Sequence, residues 1–161
     1  MGLVRDVLGH YEISGTAGEA EILAAAEEIL WQRIQRGPAI GNPKDMENFL
    51  RVRFGHLQHE EMHAVWLDNR HRVIGVEKLA SGTIDGASIH PREVVKAALR
   101  ANAAATVLSH NHPSGQSEPS GADRAITKEL QTALQYVGVR ILDHIVISGG
   151  ECVSFAARGL L

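Results

Sequence analysis

The sequence contains a single cysteine, Cys152, among its 161 residues. No disulfide can therefore form within the chain, which fits a reducing compartment. Cys152 has no obvious activating neighbour in the sequence, and we interpret it as a packing residue rather than a nucleophile. Aromatic residues are also scarce, at 4%. The core must therefore be built mainly from aliphatic side chains and alanine.

The sequence also lacks a block of lysine and arginine, and its formal net charge is −3 at pH 7. Nucleic-acid-binding proteins usually carry a basic surface, so the composition argues against direct DNA binding. No apolar run approaches the roughly 20 residues that a membrane-spanning helix needs. The N-terminal residues show neither the apolar core of a signal peptide nor a myristoylation signal. These absences predict a cytoplasmic protein without a membrane partner.

The length of the chain fits one domain that can bury its own core. Periodic apolar residues predict an amphipathic helix over residues 19–36 and a second helix over residues 42–54. Residues 1–17 carry weak signals and are expected to form an extended or loosely ordered arm. We therefore divide the chain into an N-terminal arm and helix, residues 1–40, and a main domain, residues 41–161.

Strand, turn and helix signals alternate through the rest of the chain. A turn signal at residues 68–71 separates two strand-like segments, which predicts a β-hairpin. Later strand-like segments are separated by helical ones, which predicts a crossover connection. Together these features predict an α/β fold with a mixed, partly antiparallel sheet flanked by helices. The expected strands are residues 64–67, 72–79, 103–108, 139–147 and 151–155, with an extended piece at 81–89 and helices at 91–102 and 122–137.

The most informative stretch runs from His110 to Asp123 and reads HNHPSGQSEPSGAD. At the end of a strand, residues i and i+2 point to the same side, so His110 and His112 can face one point while Asn111 points away. The small residues that follow allow Asp123 to return as a third ligand. Zinc accepts imidazole nitrogen and carboxylate oxygen, and three protein ligands leave a fourth position for water. The stretch therefore predicts a catalytic zinc site, since zinc activates water near neutral pH.

Part of this stretch can also be explained without a metal. Ser120 and Asp123 have the spacing of a capping box, and an acidic residue in the first turn suits the helix dipole. A helix cap does not account for the two histidines. The two interpretations are compatible, because a cap would hold Ser120 and Asp123 in place for the metal.

Other histidines are alternative ligands. His59 and His63 match the HExxH pattern of zincins, which binds zinc only on a helix, where residues i and i+4 are neighbours. The hairpin signals that follow predict an extended segment here, so we interpret this match as accidental. His144 lies inside an apolar strand-like segment and is expected to be a core histidine rather than a ligand.

The spacing His110-x-His112-x7-Ser120-x2-Asp123 resembles the JAMM signature of JAB/MPN metalloproteases. The sequence HNHPSG at residues 110–115, together with HPRE at residues 90–93, is similar to the RadC branch of that family. This resemblance implies a three-layer, cytidine-deaminase-like architecture. It also implies a zinc-dependent hydrolase that cleaves a peptide or isopeptide bond in a protein or peptide substrate.

The resemblance further implies roles for residues that do not bind zinc. RadC-like sequences carry a glutamate just before the hairpin, as the general base that moves a proton from water to the leaving nitrogen. Glu60 is the best match, and Glu61 is its adjacent rival. Only one of the two can face the metal, because side chains alternate across a strand. The Ser120 hydroxyl is expected to help stabilise the oxyanion.

A second hypothesis is a RadC-like DNA-repair or mobile-element accessory protein that acts by binding rather than by catalysis. RadC proteins are expected to carry a helix-hairpin-helix module before the first helix, and residues 1–17 leave no room for one. An inactive MPN-type scaffold would lack the metal ligands, so it fits this chain least.

Overall fold

The computed structural model describes residues 3–8, 10–13, 15–36, 42–82 and 89–161. Four helices and seven strands lie in this described part of the chain. In chain order they are β1 (Leu3–Arg5), β2 (Tyr11–Ile13), α1 (Glu19–Arg36), α2 (Pro43–Phe54), β3 (Glu61–Leu67), β4 (Val73–Ser81), α3 (Pro91–Arg100), β5 (Ala105–Asn111), α4 (Gly121–Tyr136), β6 (Arg140–Ser148) and β7 (Glu151–Ser154).

The main sheet has five strands in the order β4-β3-β5-β6-β7. Strands β5 and β6 are parallel and are joined through α4, whereas every other neighbouring pair in this sheet is antiparallel. The prediction of a mixed, partly antiparallel sheet with hairpins and a crossover helix is therefore confirmed. At the hairpin turn, Asp68 Oδ1 accepts hydrogen bonds from the backbone N–H groups of Arg70 and Arg72 at 2.9 Å each.

Helices cover both faces of this sheet. On one face, Phe49 and Leu50 of α2 pack with Val65 and Ile145 in a core cluster that α1 also joins. On the other face, Leu130 of α4 joins a second cluster with apolar residues of α3, β3 and β5. The arrangement is a helix–sheet–helix sandwich, so the three-layer architecture implied by the resemblance is confirmed.

Helix α1 ends, and helix α2 begins, close to the predicted position. Asn42 caps α2 by accepting a hydrogen bond from the backbone N–H of Lys44 at 3.0 Å, and Pro43 occupies the first helical position, where a backbone donor is not needed. Trp31 of α1 lies against Phe49 with ring centroids 5.3 Å apart. Helix α1 thus shares the core of the main domain. The predicted boundary between residues 40 and 41 lies outside the described residues.

The N-terminal arm, predicted to be extended or loosely ordered, contains two short strands. Strands β1 and β2 pair antiparallel. Between them, Asp6 Oδ1 accepts hydrogen bonds from the backbone N–H groups of Leu8 and His10 at 2.8 Å each. Three-residue strands are too short to show an alternating pattern in the sequence, so this hairpin had no clear signal. Of the extended piece predicted at residues 81–89, residues 83–88 lie outside the described part.

Among the described residues, none of the helices combines the length and the apolar character required to traverse a bilayer.

Candidate metal centre

Strand β5 and the start of α4 bring the three candidate ligands together. Strand β5 is buried along its whole length, with His110 as its penultimate residue and His112 just beyond its end. His110 lies on the side of the sheet that packs against α4, as alternation along the strand requires. Asp123 lies in the first turn of α4.

The ligand atoms converge on one point. His110 Nε2 lies 3.2 Å from Asp123 Oδ1, and His112 Nε2 lies 3.3 Å from Asp123 Oδ2. The two Nε2 atoms are 2.9 Å apart. Within the described residues, these three side chains form a group in which each offers a ligand atom and all the ligand atoms lie within 4.8 Å of one another. His110 and Asp123 are buried, whereas His112 is half-buried, so the site is approached from the side of His112.

The capping box predicted from the sequence is present. Asp123 N–H donates to Ser120 Oγ at 3.0 Å, and Ser120 N–H donates to Asp123 Oδ2 at 2.7 Å. The cap therefore holds Asp123 in the position from which its carboxylate faces both histidines. The cap and a metal site are compatible in this geometry, as expected.

The hydrogen bonds around the site leave lone pairs facing one another. His112 Nδ1 lies 2.7 Å from the carbonyl oxygen of Gln116. A carbonyl only accepts, so Nδ1 carries the proton and a neutral His112 presents its Nε2 lone pair. Asp123 Oδ1 is buried and has no hydrogen-bond partner among the residues that the structure describes. A buried carboxylate oxygen without a donor, next to imidazole nitrogens, fits a cation, and two nitrogens with one carboxylate fit zinc.

The electrostatics of the site agree with this. Burial by itself raises the pKa of Asp123, but His110, His112 and the Ser120 N–H outweigh it and hold the pKa well below its usual range. The Asp123 carboxylate in turn raises the pKa of His112, with smaller contributions in the same direction from the Gln116 carbonyl and from Glu60. A proton and a metal ion would therefore compete for His112.

Glu60 and Glu61, the two rival bases, have different surroundings. Glu60 is half-buried just before β3, and its backbone oxygen accepts a hydrogen bond from Gly82 N–H at 2.8 Å. Its negative charge contributes to raising the pKa of His112. The Glu61 carboxylate instead accepts hydrogen bonds from His59 and His63, at 2.8 Å each. Glu60 therefore remains the predicted base.

The HExxH segment is extended rather than helical, as predicted. Its second half lies in β3 rather than in a helix. His59 and His63 bind different oxygens of the same Glu61 carboxylate, and the His63 ring stacks on Phe54 with centroids 3.8 Å apart. These contacts give the two histidines a structural role on the sheet face opposite α4.

Acidification is expected to destabilise the protein partly through His63. Burial lowers the pKa of His63 below its usual 6.5, although the hydrogen bond with Glu61 opposes this. The unfolded chain therefore takes up a proton at His63 before the folded protein does, and stability falls as pH drops below about 6.5. Urea unfolding of the metal-free protein at pH 7.5 and 5.5 should show a smaller loss in His63→Gln than in the wild type. An equal loss in both proteins would contradict this assignment.

Asn111 has a role that the sequence did not reveal. Its side chain points away from the two ligands that flank it, as alternation predicted, and is almost fully buried. Asn111 Oδ1 accepts from Glu61 N–H at 2.8 Å, and Nδ2 donates to the carbonyl oxygen of His59 at 2.8 Å. The segment that carries Glu60 is thus tied to the strand end that carries the histidines. The only feature of the sequence that could have indicated this role is the position of the asparagine between two candidate ligands at a strand end.

His144 is a buried core histidine, as predicted. It is fully buried, and its ring stacks on Phe155 with centroids 4.7 Å apart. It also contacts the metal centre, because its Nε2 lies 2.7 Å from His110 Nδ1. Burial lowers the pKa of His144 well below its usual value, so it is neutral at physiological pH.

Comparisons with known proteins agree with this geometry. A family model described as RadC-like JAB domain matches residues 40–160. A UPF0758 protein of Thioalkalivibrio sulfidiphilus is 51% identical over 150 residues, which cover 91% of this chain and 67% of that relative. A UPF0758 protein of Vibrio cholerae is 47% identical over 151 residues, which cover 94% of this chain and 95% of that relative. One from Nitrosococcus oceani is 52% identical over 128 residues, which cover 80% and 57%. These names state no activity.

Proposed function

Because the chain belongs to the RadC-like JAB domain family, we propose that it is a zinc-dependent hydrolase that cleaves a peptide or isopeptide bond. The observation that carries this proposal is the buried Asp123 Oδ1, which faces His110 and has no hydrogen-bond partner in the described part of the chain. A site of this kind is stabilised by a cation. With three protein ligands it keeps an open position, which is the pattern of catalytic rather than structural zinc.

Five residues would carry the reaction. His110, His112 and Asp123 would hold zinc, which supplies a Lewis acid and a water of lowered pKa when bound. Glu60 would accept a proton from that water and return it to the leaving nitrogen. The Ser120 hydroxyl already accepts from Asp123 N–H through its oxygen, so its hydrogen can be donated to the developing oxyanion.

The surroundings of the site suit a large substrate. Ser120 is exposed, and His112 and Glu60 are half-buried, so each of these groups is accessible from solvent. A chain segment could reach them without entering a closed cavity. We assign the substrate to proteins or peptides and the reaction to the cytoplasm, where the lone Cys152 would stay reduced.

The proposal is tested by incubating zinc-loaded protein with a degenerate peptide library and with isopeptide-linked conjugates, and analysing the products by mass spectrometry. We expect discrete cleavage products that disappear on chelation and return when zinc is added back. A protein that holds one zinc per chain yet cleaves neither substrate class would overturn the hydrolase assignment. If the same preparation instead bound DNA with a steep salt dependence, the accessory-protein hypothesis would replace it.

A further inference from the structure

We infer that Thr127 and His144 are positioning residues that direct the Nε2 lone pair of His110 toward the metal, an inference that rests on the metal site of the proposed function. Neither residue belongs to the candidate ligand set. Both are buried, with Thr127 at 2% and His144 at 0% exposure. They connect the two buried ligands, His110 and Asp123, by a route that does not pass through the metal position.

The route is a chain of three short hydrogen bonds. Thr127 Oγ1 lies 2.6 Å from the backbone carbonyl oxygen of Asp123. The same hydroxyl lies 2.6 Å from His144 Nδ1. At the other edge of the ring, His144 Nε2 lies 2.7 Å from His110 Nδ1. The chain begins at the backbone of one candidate ligand and ends at the ring of another.

Counting hydrogens along this chain gives one arrangement. A hydroxyl has a single hydrogen, and the Asp123 carbonyl can only accept, so Thr127 donates to that carbonyl. Thr127 Oγ1 must then accept from His144 Nδ1–H. A neutral His144 is left with an acceptor at Nε2, which receives the Nδ1–H of His110. A neutral His110, the form that binds a metal, then has no hydrogen on Nε2, the atom that faces Asp123 Oδ1.

Without the hydroxyl, a second arrangement becomes available. His144 could carry its hydrogen on Nε2 and donate it to His110 Nδ1. His110 would then carry its own hydrogen on Nε2, where it would donate to Asp123 Oδ1 and occupy the lone pair that zinc requires. The Thr127 hydroxyl selects against this state, because its oxygen needs a donor at His144 Nδ1. Hydrogen bonds of this kind to ligand histidines orient the ring and select its tautomer.

Thr127→Val removes the hydroxyl and keeps the shape of the side chain. We expect the zinc affinity of this variant, measured by competition with a chromophoric chelator, to fall about 10- to 100-fold. Thr132→Val is the matched control. Thr132 lies on the same helix and its hydroxyl donates to the carbonyl of Lys128, four residues earlier, at 3.0 Å, but it does not contact the metal centre. This control should bind zinc with wild-type affinity, and so should Thr127→Ser, which keeps the hydroxyl.

Ring ¹⁵N chemical shifts give a second readout that a purely structural role would not change. In the metal-free wild type at a pH where the ring is neutral, His110 should appear as the Nδ1–H tautomer. In Thr127→Val its shifts should move toward the Nε2–H tautomer. Unchanged zinc affinity in Thr127→Val together with an unchanged His110 tautomer would overturn the inference. The proposed function fails in a different way, namely if the wild type itself binds no zinc.

Discussion

Asp123→Ala is expected to abolish stoichiometric zinc binding. The Asp123 carboxylate supplies the only negative charge among the three candidate ligands, and its unpartnered Oδ1 faces His110 at 3.2 Å. Zinc sites in small domains bind with roughly 10–16 kcal/mol shared among four ligands. One ligand therefore accounts for about 2.5–4 kcal/mol, which corresponds to a loss of roughly 60- to 700-fold in affinity. Elemental analysis after dialysis should find one zinc per wild-type chain and none per variant chain.

The same substitution also removes half of the capping box, so a folding defect must be separated from the loss of a ligand. Ser120→Ala is the matched control, because it removes the hydroxyl that accepts from Asp123 N–H and leaves the carboxylate in place. Loss of such a cap costs about 1 kcal/mol of stability. We expect Ser120→Ala to melt at a lower temperature but to keep its zinc. Full zinc content in a folded Asp123→Ala protein would show that the metal binds elsewhere.

Glu60→Gln is expected to keep zinc and to lose most of the hydrolytic activity. Glutamine has the size of glutamate but cannot accept a proton at neutral pH, and a positioned general base contributes about 10²–10⁴-fold in rate. Glu60 lies outside the candidate ligand set, so the zinc content should remain at one per chain. The measurement is the rate of peptide cleavage beside the zinc stoichiometry of the same preparation.

The neighbouring residue offers a control for this experiment. Glu61→Gln makes the same substitution at the next residue, whose carboxylate binds His59 and His63. We expect this variant to be less stable and to retain zinc-dependent cleavage. Undiminished hydrolysis in Glu60→Gln, or an equal loss in both variants, would refute the assignment of Glu60 as the base.

Most of the fold could be predicted because its signals are local. Helix α1 spans the predicted residues 19–36, and the hairpin β3–β4 turns at the predicted Asp68. The cap that joins Ser120 to Asp123 was predicted for the same reason, since its partners are three residues apart. For residues 1–17 the sequence predicted only an extended or loosely ordered arm and not the pairing of two strands. Strands β1 and β2 have three residues each, which is too few for alternation to be recognised.

The sequence by itself determined the candidate ligands, because an alternating strand end followed by a capped helix can place two histidines and an aspartate together. Only the tertiary structure decided which neighbours those ligands have. His144 contacts the ring of His110, which is 34 residues away in the sequence. Asn111 accepts a hydrogen bond from the backbone N–H of Glu61, which is 50 residues away. The surroundings of Glu60 and Glu61 also depend on strand pairing. Contacts between distant segments arise when strands and helices pack, and no local pattern of residue types specifies them.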